Sequence, residues 1–306
     1  MANWLKYYLS IFTLLCLLSC DHLSNETYHH LTPHEMRKLS ADHVTYSNMF
    51  SEGSPEHMRT LEKAARINPK NEQAWKGLAL PYLLTGQYKE WNYYASLAVS
   101  LNPKAAQAQR GHSKLFYLRD YGGALYDFDA TDTLTLNKTD YVNLFRKQIS
   151  VDYLRGLCYF GLKNNDMATT YLMRYINEEN AKTGSKEIDP SAYLYLGKIE
   201  NEKQNYRDAL ELLNKGIDPY NKMADIHYEK AYAHFMLGEI PKAAEQNKIA
   251  ETYFKEKQYH RSTLYEVLDQ LYMSHIEKLD ADIECFSGVK QGAEQDLTQN
   301  RRPNIN

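Results

Sequence analysis

Apolar residues recur at helical spacing along most of the chain, in pairs of short amphipathic segments that turn residues separate. In the clearest pair, Trp75, Leu78 and Tyr82 share one face of a predicted first helix, and Gly86 marks its end. A second helix follows, and Pro103 closes it because proline cannot extend a helix. Neither helix can bury its apolar face alone, so this hairpin needs neighbours on both sides.

The hairpin repeats with a fixed period. Pro69 and Pro103 are 34 residues apart, which is the period of a tetratricopeptide repeat. The first helix of the pair resembles the family pattern W-x2-L-G-x2-Y, with Ala79 in place of the glycine. The second helix departs from the pattern A-x3-F, since Trp91 and Ala95 exchange the large and the small residue. Packed cores tolerate such a volume-conserving exchange.

The resemblance implies an all-α fold, a right-handed superhelix (α-solenoid) of about six hairpins that covers residues 38–257. Extra residues near 138–147 and 181–189 are predicted to form loops or helix extensions. The expected hairpins occupy approximately residues 38–71, 72–103, 105–138 and 149–182, with two more that begin near 190 and 224.

A different pattern follows the last repeat. Leu264, Val267, Leu268 and Leu271 form an apolar stripe at helical spacing, which predicts a C-terminal capping helix over residues 258–286. A stack of repeats needs such a cap to cover its last apolar face. The final segment, residues 287–306, has few apolar residues and is predicted to be disordered.

The first residues have the layout of a secretory signal, with Lys6 ahead of an apolar run that is too short for a confident membrane span. Their end, Leu-Leu-Ser-Cys, resembles the lipobox of bacterial lipoproteins. The resemblance implies a signal peptide over residues 1–19, a lipid-modified Cys20 and a flexible tether over residues 20–37. An ordinary cleaved signal and an uncleaved anchor are the alternatives.

We therefore expect a lipid-anchored protein of the bacterial cell envelope, in the outer membrane and facing either the periplasm or the surface. The inner membrane is an alternative location, because an aspartate at the position of Asp21 can direct retention there in enteric bacteria. The formal net charge of −3 and the pI of about 6.4 do not favour nucleic-acid binding, which normally needs a basic stripe.

Histidines and cysteines raise two further possibilities. A metal site is one reading of the histidine-rich tether, but Pro33 interrupts the spacing and a flexible tether explains the composition better, so we expect no metal. A disulfide between Cys158 and Cys285 is possible in an oxidising compartment, although no CxxC pair is present. The histidines concerned are His22, His29, His30 and His34.

One short motif resembles a catalytic site. Asp127 and Asp129 match D-x-D-x-T, the nucleophile motif of haloacid-dehalogenase-type phosphatases. That chemistry needs a buried strand, whereas these aspartates continue a helical period, so we interpret them as acidic residues on an exposed helix face. We expect no catalytic residues and no cofactor.

In tetratricopeptide proteins the first helices line a concave groove that binds peptides or helices. Its aromatic residues belong to the types enriched at binding hot spots. Tetratricopeptide proteins that bind the tails of chaperones need an asparagine at the position of Leu80. The sequence therefore does not support binding of a chaperone tail. The predicted groove residues are Lys76, Leu80, Leu83, His112, Phe116, Tyr153, Leu157, Phe160, Lys198, Asn201, Tyr228, Tyr232 and Phe235.

The sequence thus predicts a non-catalytic scaffold or adaptor that binds another, unidentified envelope protein. A nutrient-uptake lipoprotein similar to the starch-binding family is the main alternative, although those proteins carry large insertions that this chain lacks. An enzyme built on the phosphatase-like motif is a remote alternative.

Overall fold

The computed structural model describes residue 28 and residues 30–133, 141–144, 147–183, 188–217 and 222–299. The predicted signal peptide, Cys20 and the first part of the predicted tether lie outside these residues. The chain divides into two compact units, Met1–Leu101 (unit 1) and Asn102–Asn306 (unit 2). No described helix is both long and apolar enough to cross a membrane.

Unit 1 contains two helical hairpins, in which α1 packs on α2 and α3 packs on α4. A capping box starts α1, because Thr32 and Glu35 each accept a hydrogen bond from the other's backbone amide. This helix begins inside the segment that was predicted to be a flexible tether. The helices are α1 (Pro33–Ser47), α2 (Pro55–Ile67), α3 (Glu72–Leu84) and α4 (Tyr88–Leu101).

Unit 2 contains four helical hairpins, a short β-hairpin and a long last helix. A π-helical turn, Lys114–Leu118, extends the first helix. The first two helical hairpins are α5 (Pro103–Ser113) with α6 (Tyr121–Thr133) and α7 (Val151–Gly161) with α8 (Asn165–Thr183). The next two are α9 (Pro190–Glu202) with α10 (Tyr206–Lys215) and α11 (Ala224–Met236) with α12 (Ile240–Lys255), and α13 (Met273–Gln299) follows.

Local sequence explains where many of these helices begin and turn. Asn102 and Asp189 each cap a helix whose first residue is proline, a position where the missing amide hydrogen does no harm. In all six hairpins the turn between the two helices contains one residue with a positive φ angle. Glycine fills that position three times and a longer residue three times: Gly53, Gly86, Arg119, Lys163, Gln204 and Gly238.

Small residues allow the two helices of a hairpin to approach closely. A Cβ atom added at Gly156 would lie 2.7 Å from the side chain of Leu172, and one at Gly197 would lie 2.5 Å from that of Leu213. The main core of unit 2 extends from α5 and α6 through α7 and α8 to α9, and it includes the fully buried rings of Phe128 and Tyr195.

The all-α prediction and the positions of the six hairpins are confirmed. Three details differ from the sequence prediction. Residues near 138–147 contribute to an antiparallel β-hairpin, β1 (Tyr141–Leu144) with β2 (Lys147–Ser150), instead of a loop or helix extension. The last helix begins at Met273 instead of near residue 258, and it continues to Gln299 through most of the segment that was predicted to be disordered.

Candidate functional site: a groove and its internal strap

Residues 258–272 link α12 to α13 without forming a helix or a strand, and we call this segment the strap. It lies against the groove, the surface that α5, the π-helical turn, Arg119, α9 and the start of α11 form within unit 2. Val267, Leu268 and Leu271 of the strap are each 3–4% exposed. The strap is therefore packed into unit 2.

The groove holds the strap through its main-chain carbonyl groups. Arg119 donates from Nη2 to the carbonyl oxygens of Glu266 at 2.6 Å and Val267 at 3.3 Å. Tyr195 Oη donates to the carbonyl of Leu268 at 3.0 Å, and Lys198 Nζ donates to that of Asp269 at 2.9 Å. Four consecutive carbonyls of the strap are thus bound by three side chains from elsewhere in unit 2.

Burial keeps the hydroxyl of Tyr195 protonated, so it can donate a hydrogen bond. Burial and the nearby carboxylate of Asp225 hold the pKa of this phenol well above its usual value, so the hydroxyl stays protonated. The hydrogen bond to the strap therefore does not depend on pH in the physiological range.

One aromatic residue of the strap fits a cluster of rings in the groove. Tyr265 stacks on Phe116 with a centroid distance of 4.6 Å and an interplanar angle of 25°. The rings of His112 and Tyr117 lie 5.7 Å and 5.2 Å from that of Tyr265. The π-helical turn supplies Phe116 and Tyr117, and extra residues of this kind are frequent at functional sites.

A buried cation forms the polar centre of the groove. Lys198 Nζ lies 2.6 Å from Asp269 Oδ2 of the strap and 3.6 Å from Glu229 Oε1 of α11. Burial alone would lower the pKa of Lys198, but these two carboxylates outweigh it and raise the pKa, so the amine stays charged. Asn201 fixes the carboxylate of Glu229, donating to Oε2 at 2.8 Å.

A second acidic side chain holds the start of the strap. Asp225 Oδ2 accepts a hydrogen bond from the backbone amide of His260 at 2.7 Å, and the amide of Ala224 donates to the carbonyl of Gln258 at 2.8 Å. Burial raises the pKa of Asp225 to about 6, although the amide of His260 and the charge of Lys198 oppose the shift. The carboxylate is thus retained at neutral pH at some cost in free energy.

The predicted groove residues of unit 2 fall into four sets. His112, Phe116 and Lys198 contact the strap directly, as described above. Asn201 supports the polar centre. Leu157 and Phe160 are buried in the core beneath, and the Oη of Tyr153 lies 2.6 Å from the Oγ of Ser191 between two hairpins.

The last predicted residues of this unit lie under α13. Tyr228, Tyr232 and Phe235 pack against a buried cluster that includes Leu279 and Ile283 of that helix. The strap thus packs against α5, α9 and the start of α11, and α13 packs against α11 and α12.

In unit 1 the predicted groove residues lie along α3. Leu83 is buried, Leu80 is half-buried, and burial lowers the pKa of Lys76. Next to them, Trp75, Tyr94 and Tyr82 form a continuous stack with centroid distances of 5.9 Å and 5.4 Å. Trp75 and Tyr94 also line a surface cavity of about 550 Å³.

The two aspartates of the phosphatase-like motif lie on α6 and form ion pairs. Asp127 is fully buried and lies 2.5 Å from Arg110 Nη2 and 2.8 Å from Lys114 Nζ. Asp129 accepts a hydrogen bond from Arg155 Nε at 2.9 Å. The predicted helix is confirmed, but Asp127 faces the interior instead of the solvent that the sequence had suggested.

Cys158 is buried and Cys285 is exposed, and both are free, so the alternative of a disulfide between them is wrong. Among the described residues, no cluster of three or more histidine, cysteine or acidic side chains could hold a metal ion. His22 and His29 lie outside those residues.

Sequence reasoning missed the strap and three of the residues that bind it, namely Arg119, Tyr195 and Asp225. The polar run from Gln258 to Thr263 was the one available signal, because it interrupts the apolar period ahead of Leu264.

A scan against models of known protein families finds no match, and a search of curated proteins finds none either. Similar solved structures exist. The crystal structure of PilW, described as a widely conserved type IV pilus biogenesis factor, matches with a TM-score of 0.54 and 17% identity over 71% of this chain and 94% of that chain.

Two further structures are comparable. A tetratricopeptide repeat protein from Parabacteroides merdae matches with a TM-score of 0.54 and 18% identity, over 89% of this chain and 94% of that chain. PilF from Pseudomonas aeruginosa matches with a TM-score of 0.52 and 14% identity, over 72% of this chain and 94% of that chain. The chain therefore has the tetratricopeptide-repeat fold.

Proposed function

We propose that this protein is a non-catalytic scaffold that binds another protein and is held at a bacterial envelope membrane by lipid on Cys20. One observation carries the binding role, namely that unit 2 binds an irregular polypeptide segment through four consecutive main-chain carbonyls. A surface that recognises polypeptide backbone in this way is suited to a protein partner.

The fold supports the same role, since tetratricopeptide hairpins present extended surfaces on which partners bind. PilW is described as a type IV pilus biogenesis factor, which is a role in the assembly of an envelope structure. We infer a comparable assembly role in the envelope for this chain, with the outer membrane as the favoured site.

In-cell photo-crosslinking tests the binding role. A photoreactive phenylalanine derivative replaces Tyr117, a half-buried ring of the groove, and in a control chain it replaces Glu211, which is exposed on α10. We expect one discrete adduct with an envelope protein from position 117 and none from position 211. Equal adducts at both positions, or no discrete adduct at position 117, would contradict a partner-binding groove.

Metabolic labelling with an alkyne-tagged fatty acid tests the anchor. We expect the wild type and a Cys16→Ser variant to carry the label, because Cys16 belongs to the signal peptide that is removed. Cys20→Ser should lose the label and leave the membrane fraction. Persistent labelling of Cys20→Ser would refute the lipid anchor and leave the binding role untouched.

A further inference from the structure

The groove recognises the strap in a way that depends little on the strap's own sequence. Arg119, Tyr195 and Lys198 donate to the carbonyls of residues 266–269, which a peptide of different sequence could present if it formed the same turn at positions 268–269. These three residues lie between 71 and 148 positions before their acceptors in the chain. The groove is thus built from other parts of unit 2, and the strap occupies it as a peptide ligand would.

The strap leaves one polar atom of this surface without a partner. Arg119 Nη1 is buried and has no hydrogen-bond partner among the described residues, although Nη2 of the same side chain binds the strap. A buried donor that makes no hydrogen bond lowers stability, and such atoms are rare in folded proteins. An occupant that supplied an acceptor at this point would fit the groove better than the strap does.

The side-chain contacts define the chemistry of such an occupant. The rings of Phe116 and His112 take an aromatic residue, as they take Tyr265. Two adjacent aliphatic residues follow in the buried position of Val267 and Leu268. Lys198 then selects an acidic residue, as it selects Asp269.

We propose that the strap is an internal ligand that keeps the groove of unit 2 closed until a segment of a partner protein that forms the same turn displaces it. The displacing segment carries an aromatic residue, then after one position two aliphatic residues and an acidic one. This inference rests on the proposed role as a protein-binding scaffold, and it makes binding depend on release of the strap. The apparent affinity for a partner is then the intrinsic affinity multiplied by the fraction of chains in which the groove is open.

The test measures binding of a free strap peptide to the full chain. A fluorescent peptide of residues 258–272 is titrated with the wild type, and anisotropy reports the affinity. A peptide with the changes Val267→Asp and Leu268→Asp is the negative control, because charged residues cannot enter the buried positions without a large desolvation penalty.

Two leucines of the strap give a matched pair of chain variants. Leu268 is 4% exposed and Leu264 is 55% exposed, so Leu268→Ala weakens the closed state and Leu264→Ala does not. We expect Leu268→Ala to bind the wild-type peptide at least about tenfold more tightly than the wild-type chain does. Leu264→Ala should bind it as the wild-type chain does.

A milder variant covers the case in which Leu268→Ala does not fold. The Asp269 side chain is 59% exposed, and Asp269→Asn removes its ion pair with Lys198 while the main-chain contact remains. We expect this variant to bind the peptide roughly threefold more tightly than the wild type, since part of the closing interaction is lost. Asp282→Asn, an exposed change on α13, should have no effect.

Peptide affinities equal to that of the wild type in folded Leu268→Ala and Asp269→Asn chains would overturn the inference, because the strap would then be a permanent part of the core. That result would leave the scaffold role standing if the crosslink at position 117 were still found. Tight peptide binding without any partner adduct in cells would instead contradict the scaffold role. The inference that the strap is an internal ligand would then still stand.

Discussion

Lys198 of α9 and Asp269 of the strap are joined twice, through the carboxylate at 2.6 Å and through the main-chain carbonyl at 2.9 Å. Glu229 lies on the other side of the same amine. The link connects residues 71 positions apart and fixes the strap over the centre of unit 2. Several properties of the protein depend on it.

Replacement of Lys198 by methionine should strongly destabilise unit 2. The change leaves the buried carboxylate of Glu229 without its cation, and removing one partner of a buried pair typically costs about 3–5 kcal/mol. Urea unfolding measures the loss. Lys242→Met is the control, since Lys242 pairs with Glu239 at the surface and should change the free energy of unfolding by at most about 1 kcal/mol. Equal losses in the two variants would show that Lys198 has no special role.

Asp225 should make the protein less stable as the pH rises. Its pKa in the folded chain is about 6, above the ordinary value of 3.8, so its contribution to stability is complete below about pH 4 and is lost as the pH rises through 6. Asp225→Asn keeps an acceptor for the amide of His260 and removes the buried charge. The variant should match the wild type near pH 4 and exceed its free energy of unfolding by about 1–3 kcal/mol at pH 7.5.

The measurement compares urea unfolding of the two chains at several pH values, so that effects of other titrating groups cancel in the difference. A difference between the two chains that stays constant from pH 4 to pH 7.5 would contradict the raised pKa.

The turn glycines can be tested with a matched pair of substitutions. Gly238 has a φ angle of 73° and no atom within 4 Å of an added Cβ, so Gly238→Ala should cost about 1 kcal/mol through backbone strain alone. Gly122 lies in α6 with equally open surroundings and no positive φ angle. Gly122→Ala should therefore be neutral or stabilise by about 0.5–1 kcal/mol, because alanine favours the helix. Thermal unfolding shows whether each substitution raises or lowers stability. A loss of stability in both variants would contradict this account of the turn.

The hairpins were predictable because their signals are local. Helical period, capping residues and turn glycines lie within a few positions of one another, and Asn102 with Pro103 marks a boundary in the sequence itself. The β-hairpin was missed, since strands of four residues are too short for an alternating pattern to stand out.

The strap could not be predicted in the same way. Leu264, Val267, Leu268 and Leu271 have the spacing of one helix face, yet the segment is irregular. Its conformation depends on hydrogen bonds from distant residues, above all Arg119, which lies 147 positions before its acceptor Glu266. Tertiary contacts of this kind override the helical spacing of the apolar residues. Nothing in the neighbouring sequence indicates such contacts.

The central claim is that the groove of unit 2 is a binding surface and that the strap is its occupant, and amide hydrogen exchange of the wild-type chain tests it most directly. We predict that the amides of the strap, including the one that His260 donates to Asp225, exchange through a local opening. The amides of α9 and α11 should stay protected much longer. If the strap and both helices instead exchange together, at the rate of global unfolding and with the same dependence on denaturant, the groove does not exist apart from its strap and the claim is wrong.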